Sequence, residues 1–154
     1  MLVASHGTLK PRMQQTVHRA VVSDAMLNEL LTKAVAASKA AYCPYSQFAV
    51  GAALVTNEGQ IFSGCNVENA SYGLTICAER NAVFQAVAGG ARSIVALAIF
   101  TATPHPSAPC GACRQVMNEF GPSMDVYSFC SGPEVLRAKM SELLTYAFGP
   151  SSLA

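Results

Sequence analysis

The segment Ile94 to Thr101 is almost uninterruptedly apolar, and it limits the possible folds more than any other part of the chain. Such a strand is typical of a sheet that is covered on both faces, because a solvated face would alternate apolar with polar residues. Gly89-Gly90 ends the helical pattern just before it, since glycine accepts the left-handed conformation of a helix terminus. The pattern predicts a strand enclosed between layers of helix.

The spacing of apolar residues and turn residues on either side of this strand predicts the order α-β-β-α-β-α-β-α. The expected helices run from Ser23 or Asp24 to near Cys43-Pro44, from Cys77 to Ala88, from Gly111 to Phe120 and from Met140 to Thr145. The expected strands are a hairpin of Val50 to Thr56 and Gln60 to Asn66, then Ile94 to Thr101 and Asp125 to Phe129. This order indicates an α/β fold with a mixed sheet and helices on both of its faces.

The length of 154 residues favours one domain, which we expect over residues 24–154. Hydrophobic residues make up 51% of the chain and charged residues 12%, which excludes extensive disorder. A monomer with so little charge would expose much apolar surface, so we expect an oligomer. Residues 1–23 carry Lys10, Arg12 and Arg19 and no acidic residue. We expect a flexible extension there, with a transit peptide as the alternative.

The formal net charge of +1 is too small to attract a polyanion, so neither nucleic acid nor a membrane surface is an expected partner. The longest apolar runs fall well short of the roughly 20 residues that span a bilayer. The first residues are interrupted by Gly7, Lys10 and Pro11, unlike a secretory signal. We therefore expect a cytoplasmic protein.

Six cysteines in such a chain are more typical of metal ligands or small buried residues than of disulfides. Cys110 and Cys113 lie three residues apart at the start of a predicted helix, so their sulfurs face the same way beside free backbone N–H groups. Cys77 begins the preceding helix, and the crossover between the two helices would bring their starts to the same sheet edge. These three thiolates are candidate ligands for one metal ion.

Three protein ligands leave the fourth tetrahedral position of Zn²⁺ open for water, which is typical of a catalytic site. Glu79, two residues after Cys77, can accept a proton from that water without binding the metal. The sequence Cys-Ala-Glu, followed later by Pro109-Cys-Gly-Ala-Cys113, is the pattern of zinc deaminases.

Four longer motifs extend this pattern: Tyr42 to Ala53 (YCPYSQFAVGAA), Gly64 to Ala70 (GCNVENA), Ile76 to Arg80 (ICAER) and Pro109 to Val116 (PCGACRQV). With these motifs the chain resembles the small homotetrameric cytidine deaminases of pyrimidine salvage, from about Asp24 to Pro150.

The resemblance implies a three-layer α/β/α cytidine-deaminase fold around a mixed five-stranded sheet, one strand more than the patterns alone predict. It implies zinc-dependent hydrolysis of cytidine and 2′-deoxycytidine to uridine and 2′-deoxyuridine plus ammonia. It also implies one Zn²⁺ per chain, and a homotetramer whose pockets are shared between subunits.

The resemblance assigns a role to each residue of the metal centre. Cys77, Cys110 and Cys113 match zinc ligands, and Glu79 matches the catalytic proton shuttle. Arg80 matches an arginine that donates a hydrogen bond to a ligand sulfur, which would offset part of the thiolate charge.

The resemblance also assigns residues to the substrate and to subunit contacts. Asn66 and Glu68 match residues that hydrogen-bond the ribose hydroxyls, which suits an amide and a carboxylate facing a diol. Phe48 matches an aromatic that lines the pyrimidine pocket. The remaining assignments are Ala78 and Tyr72 to substrate contact, Phe148 to a neighbouring subunit's site, and Tyr45 and Tyr72 to subunit contacts.

Several other interpretations stay open at this point. A structural zinc module would use the same three cysteines and a fourth such as Cys65, and Cys110 with Cys113 could instead be a redox pair. A base flipped out of RNA or DNA is disfavoured as substrate by the small positive charge. Glu68 favours a ribonucleoside over the substrate of the blasticidin deaminases, in which Glu-Asn does not follow the Asn-Val pair. Cys43, Cys65 and Cys130 are interpreted as small buried residues. Arg114 either helps to hold the zinc helix or covers a surface, and the surface is the favoured interpretation.

Overall fold

A computed structural model describes residues 22–153, so the extension expected over residues 1–23 lies almost wholly outside the described part of the chain. The helices are α1 (Asp24–Ser38), α2 (Ala78–Ala88), α3 (Gly111–Phe120) and α4 (Met140–Leu143). The strands are β1 (Val50–Thr56), β2 (Ile61–Cys65), β3 (Ile94–Thr101), β4 (Asp125–Phe129) and β5 (Val135–Lys139). Within the described residues, each helix is too short or too polar to cross a bilayer.

The five strands form one mixed sheet in the order β2-β1-β3-β4-β5. Strands β3 and β4 are parallel, and the other neighbouring pairs are antiparallel. The five-stranded sheet is therefore confirmed. The local pattern missed β5 because it is a half-buried edge strand with Arg137 and Lys139 among its five residues, so it lacks a clear apolar face.

Helices cover both faces of the sheet, which confirms the three layers. On one face, Leu30 and Ala34 of α1 pack against Ala53, Ala96 and Ala98 of the sheet. On the other face, a larger apolar cluster joins α2, α3 and α4 to the sheet. Its buried members include Ala82, Val83, Leu97, Ile99, Cys113, Met117 and Met140. The candidate metal ligands belong to this second layer.

Two glycines let helices approach the sheet closely. A Cβ at Gly51 would lie 1.9 Å from the carbonyl oxygen of Ala34 in α1, and one at Gly64 would lie 2.5 Å from the backbone nitrogen of Ala82 in α2. Real Cβ atoms do not come this close, so both positions require glycine. The first two turns of α2 therefore lie directly against the end of β2.

Two helices end earlier than the pattern predicts. Ser23 caps α1 by accepting a hydrogen bond from the Met26 N–H, as expected, but α1 ends at Ser38 and not near Pro44. The chain turns away because Tyr42 pairs with the segment after β2: its N–H donates to the Asn66 carbonyl at 3.0 Å. Helix α4 likewise ends at Leu143 and not at Thr145.

Candidate active site

The structure brings Cys77, Cys110 and Cys113 together, with all three Sγ atoms within 4.8 Å of one another. Cys77 is the N-cap of α2, Cys110 is the N-cap of α3, and Cys113 lies in the first turn of α3. Neither N-cap side chain caps its own helix, although N-cap side chains commonly do so. Both N-cap thiols thus remain available to the cluster.

The chemistry and spacing of this cluster fit zinc. A tetrahedral zinc with Zn–S bonds of about 2.3 Å has ligand sulfurs about 3.8 Å apart. The Sγ atoms of Cys77 and Cys110 lie 4.0 Å apart. Cys113 is buried and Cys110 is exposed, so the cluster opens to solvent on one side. The helix N-termini beneath the sulfurs stabilise the thiolate form that metal binding requires.

The cluster has three members among the described residues, which argues against the structural four-ligand alternative. No further His, Cys, Asp or Glu in residues 22–153 joins it. Cys65, the fourth ligand that the alternative needs, points its thiol at the carbonyl oxygen of Ala40, 3.4 Å away. The Cys130 Sγ lies within hydrogen-bond distance of three backbone carbonyl oxygens, those of Pro104, Gly132 and Glu134, at 3.5, 3.6 and 3.4 Å.

Arg80 contacts the cluster as the resemblance implies. Its Nη2 donates to the Cys77 Sγ at 3.5 Å and to the Thr75 carbonyl oxygen at 3.0 Å. A hydrogen bond from Cys113 and then the Arg80 guanidinium lower the pKa of Cys77 to about 5, in spite of its burial. Cys77 is therefore a thiolate at neutral pH, which is the form that binds a metal.

Glu79 is buried beside the cluster, with only 5% of its surface exposed. Burial raises the pKa of Glu79, and the negative charge of Cys77 raises it further. The Cys113 thiol also interacts with this carboxyl group, which places the carboxyl next to the sulfurs and away from bulk solvent. Ala78, just before it, is fully buried.

Asn66 and Glu68 both hold the segment that leads into β1. The Asn66 Oδ1 accepts the Val50 N–H and its Nδ2 donates to the Phe48 carbonyl, each at 2.8 Å. The Glu68 Oε2 accepts the Tyr45 N–H at 2.8 Å and the Ser46 N–H at 3.3 Å. Ser46 contributes most to lowering the pKa of Glu68, so this group is a carboxylate at neutral pH.

The segment before β1 is strained next to Phe48. Gln47 has φ of 55°, in the left-handed region that residues other than glycine rarely adopt. Such strain persists where the surroundings fix the backbone, and it concentrates at functional sites. The contacts of Asn66 and Glu68 on either side of Gln47 supply that support.

The aromatic residues assigned by resemblance lie on the surface of the chain. Phe48 is 41% exposed, Phe148 is 61% exposed and Tyr72 is 73% exposed. The rings of Tyr45 and Tyr72 contact each other, with centroids 5.7 Å apart. These side chains are available to a ligand or to another protein surface.

The sequence did not reveal the contacts of two residues that hold the site, Arg114 and Asn81. Arg114 is half-buried, so the favoured surface interpretation is wrong and the alternative, that it helps to hold the zinc helix, is the better one. Its Nε donates to the Pro109 carbonyl at 2.8 Å and its Nη1 to the Leu143 carbonyl at 2.9 Å, so it fixes the start of α3. The Asn81 amide of α2 donates to the Cys65 carbonyl at 2.8 Å, just before Asn66. Backbone acceptors leave no trace in a sequence, so neither contact was predictable.

Comparison with known proteins agrees with this geometry. Residues 25–129 match the family model described as the cytidine and deoxycytidylate deaminase zinc-binding region. The cytidine deaminase of Halalkalibacterium halodurans is 48% identical over 77% of this chain and 91% of its own length.

The solved structures that resemble this chain also include cytidine deaminases. A cytidine deaminase from Burkholderia pseudomallei is 52% identical and superposes with a TM-score of 0.76, over 79% of this chain and 98% of its own. The enzyme from Mycobacterium tuberculosis is 41% identical with a TM-score of 0.69, over 80% of this chain and 97% of its own. The structure has a three-cysteine cluster at two helix starts and a five-stranded sheet. Together with these similarities, this shows that the chain belongs to the cytidine deaminase family.

Proposed function

We propose that the protein catalyses the hydrolytic deamination of cytidine and 2′-deoxycytidine to uridine and 2′-deoxyuridine, releasing ammonia, with one Zn²⁺ per chain. The observation that carries this proposal is the convergence of three thiols with the buried carboxyl group of Glu79. Relatives named as cytidine deaminases, similar over most of the chain, support the choice of substrate. We assign the reaction to pyrimidine salvage in the cytoplasm.

Glu79 has the central role in moving protons. When bound, zinc supplies hydroxide at neutral pH by lowering the pKa of water from 15.7 towards about 7. The Glu79 carboxylate accepts the proton of the attacking water and transfers it to N3 of the cytosine ring as C4 is attacked. It then takes the remaining proton from the new C4 hydroxyl group and delivers it to the amino group, so that the C4–N bond breaks, C4 becomes a carbonyl and ammonia leaves in place of amide ion. Burial next to the sulfurs keeps this carboxyl group where both transfers occur.

Arg80 and the two helix N-termini offset the charge of the three thiolates. Three thiolates and one Zn²⁺ carry a formal charge of about −1, which weakens the attraction between the metal and hydroxide. The Arg80 guanidinium, 3.5 Å from the Cys77 Sγ, withdraws part of that charge. The N-termini of α2 and α3 act in the same direction.

The charges near the cluster favour a nucleoside over a nucleotide. Arg80 and Arg114 are the basic residues of α2 and α3, and both are already bonded to a thiol or to backbone carbonyls. Glu68, on the segment assigned to the ribose, is a carboxylate. A 5′-phosphate would meet negative charge there without a free arginine on either helix to bind it.

The test is a spectrophotometric assay of the purified protein combined with zinc analysis. We expect uridine from cytidine, 2′-deoxyuridine from 2′-deoxycytidine, and one zinc per chain. Cytidine 5′-monophosphate is expected to react far more slowly, for the electrostatic reason given above. Absence of uridine from a protein with a full complement of zinc would reject the proposed reaction.

Glu68→Ala is expected to weaken the reaction of cytidine far more than that of free cytosine, because only the nucleoside carries the ribose hydroxyls. The measurement is kcat/KM for both compounds. Glu68→Gln is the matched control, because its amide oxygen can still accept the Tyr45 N–H and hold the backbone. Equal losses for cytidine and cytosine in Glu68→Ala would remove the ribose assignment.

We also propose that four chains assemble and share their pockets. The support is the exposure of Tyr45, Phe48, Tyr72 and Phe148 on a chain with few charged residues. In such an assembly Tyr45 and Tyr72 contact a neighbouring chain, and Phe148 reaches a neighbouring site. Light scattering on the purified protein measures the mass directly, and a monomeric mass would exclude shared pockets.

A further inference from the structure

The two residues that follow Cys113 on α3 both hold the C-terminal part of the chain. The Arg114 Nη1 donates to the Leu143 carbonyl oxygen, and the Gln115 Nε2 donates to the Phe148 carbonyl oxygen, each at 2.9 Å. We name residues 144–149 the C-terminal strap. It begins just after the first of these anchor points and ends just after the second.

The strap has a defined conformation between its anchors. Tyr146 has φ of 52°, a left-handed conformation that residues other than glycine rarely adopt. The Tyr146 side chain is fully exposed, so no packing of the ring holds this conformation. Leu143 and Leu144 pack on the apolar cluster at one end, and Gly149 is buried near Asn118 of α3 at the other. Since strained backbone persists where the ends are fixed, the anchors on α3 specify the path of the strap.

We infer that Gln115 is a positioning residue, which sets the place of the Phe148 ring relative to the metal ligands on α3. The inference deepens the proposed function and rests on it, because it takes Phe148 as a substrate contact. Cys113 and Gln115 are two residues apart on one rigid helix, so the same element that holds the metal fixes the backbone of Phe148. In an assembly with shared pockets, the metal-bearing helix of one chain thereby positions an aromatic ring in the site of another.

The chemistry of the contact decides which substitutions test it. The acceptor is a backbone carbonyl oxygen, so the contact requires an N–H donor at position 115. Glutamate has the size of glutamine, but its carboxylate at neutral pH would face the carbonyl oxygen without a proton to share. Gln115→Ala removes the side chain, whereas Gln115→Glu removes only the donor. Glu119→Ala is the matched control, since Glu119 is exposed on the same helix one turn further on.

The experiment measures cytidine kinetics, zinc content and backbone hydrogen exchange of the strap. In Gln115→Ala and Gln115→Glu we expect KM to rise about threefold to tenfold, the range that one hydrogen bond contributes, with kcat nearly unchanged. Zinc content is expected to stay at one per chain, and exchange in residues 144–149 is expected to become faster. Glu119→Ala is expected to match the wild type in all three measurements.

A double-variant cycle separates positioning from general stabilisation. In a Phe148→Ala background, Gln115→Ala is expected to add no further rise in KM, because the ring that Gln115 positions is gone. Multiplied losses in the double variant would overturn the inference, as would unchanged KM and unchanged exchange in both Gln115 variants. If the wild type does not deaminate cytidine, the proposed function fails, while the exchange measurement still tests whether Gln115 holds the strap.

Discussion

Replacing Glu79 by glutamine is expected to lower kcat for cytidine by about 10²–10⁴-fold, the usual contribution of a general acid–base group. Glutamine keeps the size of the buried side chain but accepts no proton, so neither transfer to N3 nor transfer to the leaving amino group can occur. Zinc content is expected to remain at one per chain, because Glu79 is not a member of the three-cysteine cluster. Steady-state kinetics and metal analysis on the same sample measure both quantities.

The matched control for this variant is Glu58→Gln. Glu58 is exposed in the turn between β1 and β2, so the same chemical change there leaves kcat at the wild-type value. Near-normal turnover in Glu79→Gln would show that the proton shuttle is another group. A loss of zinc together with turnover would show that the carboxyl group supports the metal centre and not the proton transfers alone.

Cys110→Ala is expected to abolish zinc binding and to bring deamination below detection. Cys110 is the exposed member of the cluster and its side chain does not cap α3, so its removal disturbs the fold less than removal of the buried Cys113. Without the metal, the pKa of water returns to 15.7 from about 7, which lowers the available hydroxide on the order of 10⁸-fold at neutral pH. Metal analysis and the cytidine assay measure the two losses, and circular dichroism checks that the fold is retained.

Cys43→Ala serves as the control, because it removes a thiol that is not part of the cluster. This variant is expected to keep its zinc and its turnover. Removing zinc from the wild type with a chelator should reproduce the Cys110→Ala result, and added Zn²⁺ should restore activity to the wild type only. Full zinc and full activity in Cys110→Ala would contradict the assignment of the metal site.

Much of the fold was predictable, because the signals for it are local. The apolar segment at Ile94–Thr101, the Ser23 cap and the glycines after α2 each act within a few residues, and the structure has the corresponding elements. The end of α1 and the strand β5 were not predictable in this way. The end of α1 depends on pairing between Tyr42 and residues 66–68, and β5 depends on pairing with β4 at a sheet edge.

In the candidate site, too, the local features were predictable from the sequence and the long-range contacts were not. The spacing of Cys110 and Cys113 at a helix start predicts two convergent thiols, and the crossover between helices adds Cys77. The contacts of Arg114 and Gln115 join residues 29 and 33 positions apart through backbone carbonyls. Any residue offers such a carbonyl, so the sequence holds no signal for these partners. The resemblance in turn assigned roles to Asn66 and Glu68, but not their contacts with the backbone before β1.

The sheet separates α1 from the three cysteines and Glu79, which lie on α2, on α3 and at their N-caps. No residue of α1 is among the expected site residues, and the apolar cluster beneath α1 is separate from the one that holds Cys113. A reporter group attached at the exposed Lys33 of α1 would therefore follow tumbling or self-association from the face of the sheet opposite the three-cysteine cluster. The same separation makes α1 the natural place for immobilising the protein on a support.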